Sequence, residues 1–533
     1  MFHVKHYGKY SERMFFYDVT MRGNLSLYEY LYRCIRHDIA HGVIAPGEKL
    51  PSKRALAKHL GVSRITIEAA YEQLVAEGYI RSRERCGYYA CDLAPATRVD
   101  EEGDDSSPAA HTGKVANATR NAAANSSSLR AAVAQTVASN TLSSSGRAIV
   151  EDLPASTAND SAPLLADFTH SSLATRKFPY ATWAKVVRRT LSEESSASLA
   201  ESASAAGSPQ LRRIIATHLR ESRGMNVSTE QIVIGAGSQT LYQLVVQLLG
   251  RTETFAVEEP GYPLLTHMYQ QQNVKLAHIP LDEHGINVTA LEQTGATVAH
   301  VMPSHQFPTG IVTTAARRRE LLNWAREGSR YIIEDDYDSE FRMAGRPIPP
   351  LFSIDAADRV LYVNSFAKSL GAAFRMAYLV LPPHLAEQFH THLGFYANTV
   401  SPLDQLALAH FIEGGHYERH VNRLRTQARK TQDALVNALS ETFGNRISFA
   451  ELNNGLHFIM QLESSRTERE LVIAAEAAGI RVTPLSSFSS PIQASAAAST
   501  PGAPSPARFI LRSDSITAEE APTVAAALAK AWG

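Results

Sequence analysis

The chain has 533 residues, 44% hydrophobic and 20% charged, and a formal net charge of −1 from 52 Lys+Arg and 53 Asp+Glu. This is the balance of an ordinary folded protein with about three domains' worth of chain. It excludes a uniformly basic nucleic-acid coat and an acidic tail protein. No run of about 18 apolar residues exists, so no membrane-spanning helix is expected. The N-terminus MFHVKHYGKYSERMFF has no signal-peptide apolar core. Three cysteines (Cys34, Cys86, Cys91) without a CxxC pair cannot build a disulfide framework. These readings predict a cytoplasmic protein with no membrane partner and no metal site.

The charge is uneven. Residues 1–91 hold 14 Lys/Arg against 9 Asp/Glu, a net of +5 that leaves −6 for the rest. A basic module on an acidic body points to an anionic partner. Within this module, residues 27–41 place Leu27, Leu31, Cys34, Ile35 and Ile39 on one helical face. Ser52 can cap a short helix over 53–60, stopped by Gly61. Ser63 can cap a second helix over 64–77, ended by Gly78. Two helices joined by a short Gly-containing turn form a helix-turn-helix. The segments 79–83 and 87–89 then read as two short strands, a wing.

The stretch LPSKRALAKHLGVSRITIEAAYEQLVAEGYIRSR, from Leu50, carries Pro51, Arg54, Leu56, Gly61, Val62, Ser63, Arg64, Tyr71, Leu74, Gly78 and Tyr79 in register. It resembles the winged helix-turn-helix of GntR-type bacterial regulators. The resemblance implies double-stranded DNA as partner and puts Arg64, Ile65, Thr66 and Glu68 at the major groove, with the capping Ser63 beside them also a DNA-binding residue. Arg64 at the helix start can fork to a guanine edge or a phosphate. Arg54 can clamp a phosphate, and Arg81, Arg83 and Arg85 suit a wing on the backbone or minor groove. The family's wing tip is richer in Gly and Ser than Glu84-Arg85-Cys86.

No aromatic residue occurs between Asp92 and Asp167, and 24 of the 60 positions over 101–160 are Ala or Ser. Such a stretch cannot bury enough apolar surface to offset its ordering entropy. Residues 92–164 therefore read as a flexible linker, with a transient helix possible over 128–139 and a root-mean-square span of about 45–50 Å. A second biased patch, 486–506, reads as a mobile insertion.

Beyond the linker, β-branched runs (QIVIGAG, ETFAVEEPGY, TVAHVMPS, YIIEDDY, RVLYVNS) alternate with 3.6-periodic stretches such as SQTLYQLVVQLL. This predicts an α/β domain with a parallel sheet. Three pieces carry chemistry. Lys368 follows a predicted strand and can form a Schiff base, with Arg375 seven residues on as a phosphate ligand. Upstream, YIIEDDYDSEF ends a strand in an Asp that can pair with a pyridine nitrogen and a Tyr that can bond a phenolic oxygen. Farther upstream, Gly235-Ala236-Gly237-Ser238-Gln239 can cradle a phosphate at a helix N-terminus. In this order the three are the signature of pyridoxal phosphate.

With EEPGYP (258–263), PSHQFPTG (303–310), IIEDDYDSEFR (332–342) and NSFAKSL (364–370), the body resembles fold-type I aminotransferases. The whole chain is similar to the MocR/GabR group of GntR regulators. That resemblance implies a winged helix-turn-helix over 15–91, a linker over 92–164 and an aminotransferase-like domain over 165–533 that binds pyridoxal 5'-phosphate. It implies that Lys368 holds the Schiff base, Asp335 faces the pyridine nitrogen, Tyr337 bonds the ring oxygen and Tyr262 stacks on the ring. Ser238, Gln239, Ser365 and Arg375 would hold the phosphate, His305 or Gln306 would stand near the ring oxygen, and Arg512 would meet an effector carboxylate. It also implies a homodimer in which a head can sit over the other subunit's body. Three features depart from the group: Ala367 in place of Ser before the lysine, Ser202 in place of a Tyr that reaches the partner's phosphate, and the early loop HSSLATRKFP. They argue against full turnover. The function expected is a transcriptional regulator that senses an amino compound or pyridoxal phosphate. The alternatives are a working aminotransferase with a DNA-binding appendage and a DNA-binding protein with a dead body.

Overall fold

The computed structural model describes residues 26–40, 43–83, 87–91, 164–200, 204–342, 349–452, 454–489 and 506–533. The expected linker, all but Leu164, lies outside them, as do Ser202, residues 84–86 and most of the biased patch near the C-terminus.

The head opens with α1 (Leu27–Ala40), followed by α2 (Lys53–Leu60) and α3 (Arg64–Ala76). The apolar face read from α1 turns inward: Leu31, Ile35 and Ile39 meet Leu56, Ile67, Tyr71 and Leu74 in one core. Both caps form as the sequence demands. The Ser52 hydroxyl accepts the Ala55 amide, Gly61 closes α2 at φ 66°, and the Ser63 hydroxyl accepts the Thr66 amide. Each such cap contributes about 1 kcal/mol. The Tyr71 hydroxyl donates to the Pro51 carbonyl at 2.9 Å and ties α3 to the start of α2. The wing is a hairpin of β1 (Ile80–Arg83) and β2 (Gly87–Ala90), paired antiparallel from Ile80↔Ala90 to Arg83↔Gly87.

The body begins with a short strand at Ala166–Asp167 and a helix over Tyr180–Glu193 flanked by two short ones, then α4 (Pro209–Arg223), β3 (Ile232–Gly235), α5 (Ser238–Leu249), β4 (Thr254–Glu259), β5 (Lys275–Asp282), β6 (Gly285–Ile286) and β7 (Val298–Val301). Then come α6 (Ala315–Glu327), β8 (Tyr331–Asp335), β9 (Val360–Ser365), the single turn α7 (Ala367–Leu370) and β10 (Ala377–Val380). These strands form one sheet in the order β3-β10-β9-β8-β7-β4-β5-β6. The sheet is not wholly parallel, as the alternation had predicted. β10 runs antiparallel to both β3 and β9, and β6 is a hairpin return on β5. The reason is length: the connection from Ser365 to Ala377 holds one turn of helix, too little for a parallel crossover. Apolar clusters cover both faces of the sheet. The long helix α8 (His416–Phe443) leads into a second lobe, whose antiparallel sheet contains β11 (Ile447–Ala450), β12 (His457–Leu462), β13 (Thr483–Pro484) and β14 (Ala507–Arg512) in the order β11-β12-β14-β13.

The head rests on the body of its own chain through the C-terminal end of α3. Glu77 is drawn inside, where Tyr32 donates to its carboxylate at 2.6 Å and Gln73 also donates to it. α3 therefore closes at Ala76, one residue before its expected end. The Glu77 carbonyl accepts the amide of Ala315, the first residue of α6, at 2.9 Å. Gly78 adopts φ +72°, and a Cβ there would stand 2.9 Å from the Thr314 Cβ. Glycine is thus required twice at this position, for the left-handed turn and for the close approach.

Candidate functional site

The C-terminal ends of β3, β4, β7, β8 and β9 point to one rim of the sheet, the usual ligand edge of an open α/β fold. Most of the site residues end these strands or lie in the loops and first helical turns that follow. Asp335 ends β8 and Ser365 ends β9, with Val363 paired to Asp335 across the parallel ladder. Gly235 ends β3, and Arg375 enters β10 on the same rim because Ser365 pairs with Ala377.

Asp335 is buried and accepts the Tyr242 hydroxyl at 2.6 Å, while His300 Nε2 stands 3.6 Å away. His300 is in turn held at Nδ1 by the Tyr269 hydroxyl at 2.7 Å. Tyr242, Tyr269 and His300 brace the carboxylate, and sequence reasoning missed all three. They come from α5, the helix after β4, and β7, and no local motif marks them.

The loop Gly235–Ala236–Gly237 leads directly into α5, whose first residues are Ser238 and Gln239. Thr399 accepts the Ala236 amide at 3.1 Å, and Arg375 donates to the Ala236 carbonyl at 3.2 Å. A Cβ on Gly237, at φ +89°, would lie 2.9 Å from Arg375 Nη2. Glycine leaves the space where helix amides and a guanidinium converge. The Ser365 hydroxyl accepts the Ala367 amide at 3.1 Å.

Lys368 sits on the single turn α7. Burial, then the positive charge of Arg512, hold its ammonium well below the usual lysine range, at about 8. Asp514 and Asp338 oppose that shift. Asp338 lies 2.8 Å from His305 Nδ1, and the Tyr337 hydroxyl lies 3.2 Å from the same nitrogen. Of the two residues left open beside the ring oxygen, His305 faces Tyr337. Gln306 is consumed by its own loop, donating to the Pro260 and Phe307 carbonyls and accepting the Thr309 amide. Tyr262 caps the helix after β4 and is 41% exposed, its ring edge-on to Phe307. Phe488 also packs edge-on to Phe307, and its carbonyl accepts the Gly261 amide at 3.2 Å. The start of the patch expected to be mobile is therefore a wall of the site.

Arg512 ends β14, buried, with its Nε 3.3 Å from Asp514. Across the ladder it pairs with His457 on β12, a residue the sequence reading did not name. His305, Asp338 and His457 bring donor atoms within 4.8 Å of one another. No metal ligands were expected, and the positive charges of Arg512 and Lys368, which both bear on His457, oppose a metal cation at that spot.

In the head, Arg54 and Arg64 are exposed at the starts of α2 and α3, and Ile65 is 77% exposed beside Arg64. An exposed isoleucine at a helix N-terminus suits a thymine methyl. The Ser63 and Thr66 hydroxyls lie 2.8 Å apart, so both serve the cap. Glu68 is paired with Lys53 at 2.7 Å, which removes a bare negative charge from the groove face. Arg83 lies over the Tyr89 ring at 4.8 Å, across the wing hairpin.

Residues 27–89 match the bacterial regulatory protein gntR family and residues 171–501 match aminotransferase class I and II. An HTH-type transcriptional regulator of Bacillus subtilis, YhdI, is 34% identical over 86% of this chain and 88% of its own length. The chain belongs to the MocR/GabR group of GntR regulators. Other relatives in this group include the probable rhizopine catabolism regulatory protein MocR of Rhizobium meliloti, 28% identical over 88% of this chain and 89% of its own. The pyridoxine biosynthesis regulator PdxR of Corynebacterium glutamicum is 28% identical over 85% and 87%. Among solved structures, a Pyrococcus horikoshii kynurenine aminotransferase superimposes with a TM-score of 0.60 at 20% identity, over 76% of this chain and 98% of that one. That likeness shows the aminotransferase fold. Among the described residues no helix is long and apolar enough to cross a membrane.

Proposed function

We propose that this chain is a transcriptional regulator that binds double-stranded DNA with its head, holds pyridoxal 5'-phosphate in its body and responds there to a small amino compound. The residues fit the cofactor. Gly237 leaves a cradle that a Cβ would fill, Asp335 is a buried carboxylate at the right strand end, and His300 Nε2 is buried without a partner beside it. Lys368 is an amine made easier to deprotonate by burial. Asp335 would face the pyridine nitrogen, Tyr337 the ring oxygen and Tyr262 the ring face. Ser238, Gln239, Ser365 and Arg375 would hold the phosphate. When bound, pyridoxal phosphate supplies an aldehyde carbon that Lys368 or an incoming amine can capture.

The observation that carries regulation, rather than enzyme with appendage, is the seam between head and pocket. Arg318 on α6 donates to the carbonyls of Thr313 at 3.0 Å and Pro303 at 2.7 Å. These are the two ends of the loop that carries His305 and Gln306. The first amide of the same helix is held by Glu77 at the end of α3. With an amino compound held in place of Lys368, the Lys368 amine would stand free under the influence of Asp338, which holds His305. The compound's carboxylate would compete with Asp514 for Arg512. Either change bears on the loop pinned to α6, and through α6 on the DNA-reading helix. The coupling requires that the compound bind two arrangements of this loop unequally. Two half-sites on DNA would be met by a homodimer.

The test is the DNA affinity of the full chain, loaded with pyridoxal phosphate, for a genomic fragment it selects, measured across a panel of primary amines and amino acids. An amine that alters the visible spectrum should also shift DNA affinity, and Lys368→Ala should abolish the spectral change. If every amine that reacts at the pocket leaves DNA binding unchanged while keto product accumulates, the enzyme reading replaces this one.

A further inference from the structure

Strand β8 has two faces. Asp335 belongs to the cofactor rim. Asp336 turns the other way, where Tyr362 donates to it at 2.6 Å and Arg223 of α4 pairs with it. Asn364 and Ser365 divide in the same manner at the end of β9, since successive strand residues face opposite sides. Behind the rim, between α4, α8 and the turn Ser339–Phe341, lies a cavity of about 180 Å³. None of the residues assigned to cofactor, effector or DNA lines it.

Its polar groups are left incomplete. Ser339, 8% exposed, and the Nε of Arg223, whose side chain is 6% exposed, have no hydrogen-bond partner. The Glu340 carboxylate receives one long bond, from Asn364 at 3.4 Å. Arg425 donates to the Glu340 backbone carbonyl at 2.9 and 2.5 Å rather than to its carboxylate. Glu418, at 45% exposure on the rim of the cavity, has one oxygen 3.5 Å from His218 and the other unpartnered. Tyr378 and Tyr417 supply aromatic walls, and the Tyr417 hydroxyl is engaged elsewhere, with Ser369 at 3.1 Å. Arg223 and Asp336 offset one another, which leaves two carboxylates against Arg425.

We propose that this cavity is a second small-molecule site, separate from the cofactor pocket, for a small amine that also carries an oxygen acceptor, such as an amino alcohol. Its ammonium would lie between Glu340 and Glu418 against the tyrosine rings, where carboxylates and aromatic faces both favour a cation. Its oxygen would take the hydrogen bonds that Arg223 Nε and Ser339 lack. Burial lifts the Glu340 carboxyl to about 7, as expected of an acid awaiting a counter-charge. The entrance lies by the exposed Ser222 and Asn422, on α4 and α8.

Calorimetry on the full chain, with no cofactor added so that amines have nothing to react with at Lys368, tests this with ethanolamine, ethylamine and glycolate. Ethanolamine should bind saturably, ethylamine several-fold more weakly, and glycolate not at all. Glu340→Gln should weaken ethanolamine by about tenfold or more, the loss of one charge-assisted contact. Ser339→Ala, a milder change that leaves Arg223 Nε in place, should reduce the preference for ethanolamine over ethylamine. Absence of saturable ethanolamine binding, equal affinity in Glu340→Gln, an undiminished preference in Ser339→Ala, or glycolate binding as tight as ethanolamine overturns the proposal.

Discussion

At Lys368, position and environment act together. The amine must lose its proton before it can attack a carbonyl, and burial beside Arg512 brings that loss to about pH 8. The sign follows directly: the free amine grows as pH rises, so uptake of pyridoxal phosphate should accelerate about tenfold per pH unit below 8 and level off above it. Stopped-flow absorbance between pH 6.5 and 9.5 checks this, and a rate still climbing at the upper limit would place the amine in the ordinary lysine range. Arg64 permits a second prediction. If it reads a base, Arg64→Ala costs about 1–3 kcal/mol on the specific site and relaxes one position. Arg54→Ala instead weakens all sequences alike and lowers the salt slope by about one. Fluorescence anisotropy on specific and scrambled duplexes at several salt concentrations separates the two. Lys368, Asp335, Tyr337 and Arg375 were legible because each sits in a run whose neighbours mark a strand end. Tyr242, Tyr269, His300 and His457 were not singled out, because they come from separate helices and strands that meet only in the fold. Asp338 and Asp514 are the exceptions, one residue past Tyr337 in YIIEDDYDSEF and two past Arg512 in FILRSD, both open to inspection.

Helices and turns of the head were read almost residue by residue, since Ser, Gly and apolar spacing each impose a local rule. The end of α3 was the exception, and its cause is tertiary: Glu77 is captured by Tyr32 and Gln73. In the body the alternating pattern predicted strands and helices but not the reversed direction of β10, because strand direction depends on the space available for the connection. The seam at Gly78 gives the element-scale prediction. Gly78→Val forces a β-branched residue into φ +72° and brings its Cβ to 2.9 Å from Thr314. Strain of this kind costs about 1–3 kcal/mol. Ala315 shares the head's apolar core, but the clash falls on Thr314 and not on the exposed starts of α2 and α3, so the variant should still bind its DNA while losing the response of DNA affinity to amines at the pocket. Circular dichroism melts report the cost, and anisotropy with and without the responsive amine reports the coupling. An intact response in a folded variant would remove the seam from the signal path.

For the whole molecule, the central claim is that one chain joins a DNA reader to a body that holds pyridoxal phosphate on a single lysine. Charge asymmetry and two motif sets announced this organisation in the sequence. Neither motif set showed that the end of α3 and the loop of His305 meet at one helix N-terminus. The most direct measurement takes the full chain, supplied with pyridoxal phosphate, bound to genomic fragments it has selected. The complex is reduced with borohydride, recovered on its DNA and mapped by peptide mass spectrometry. The peptide containing Lys368 should carry the reduced pyridoxyl group in the DNA-bound fraction. A DNA-bound fraction free of the group, or one carrying it on another lysine, would contradict the central claim.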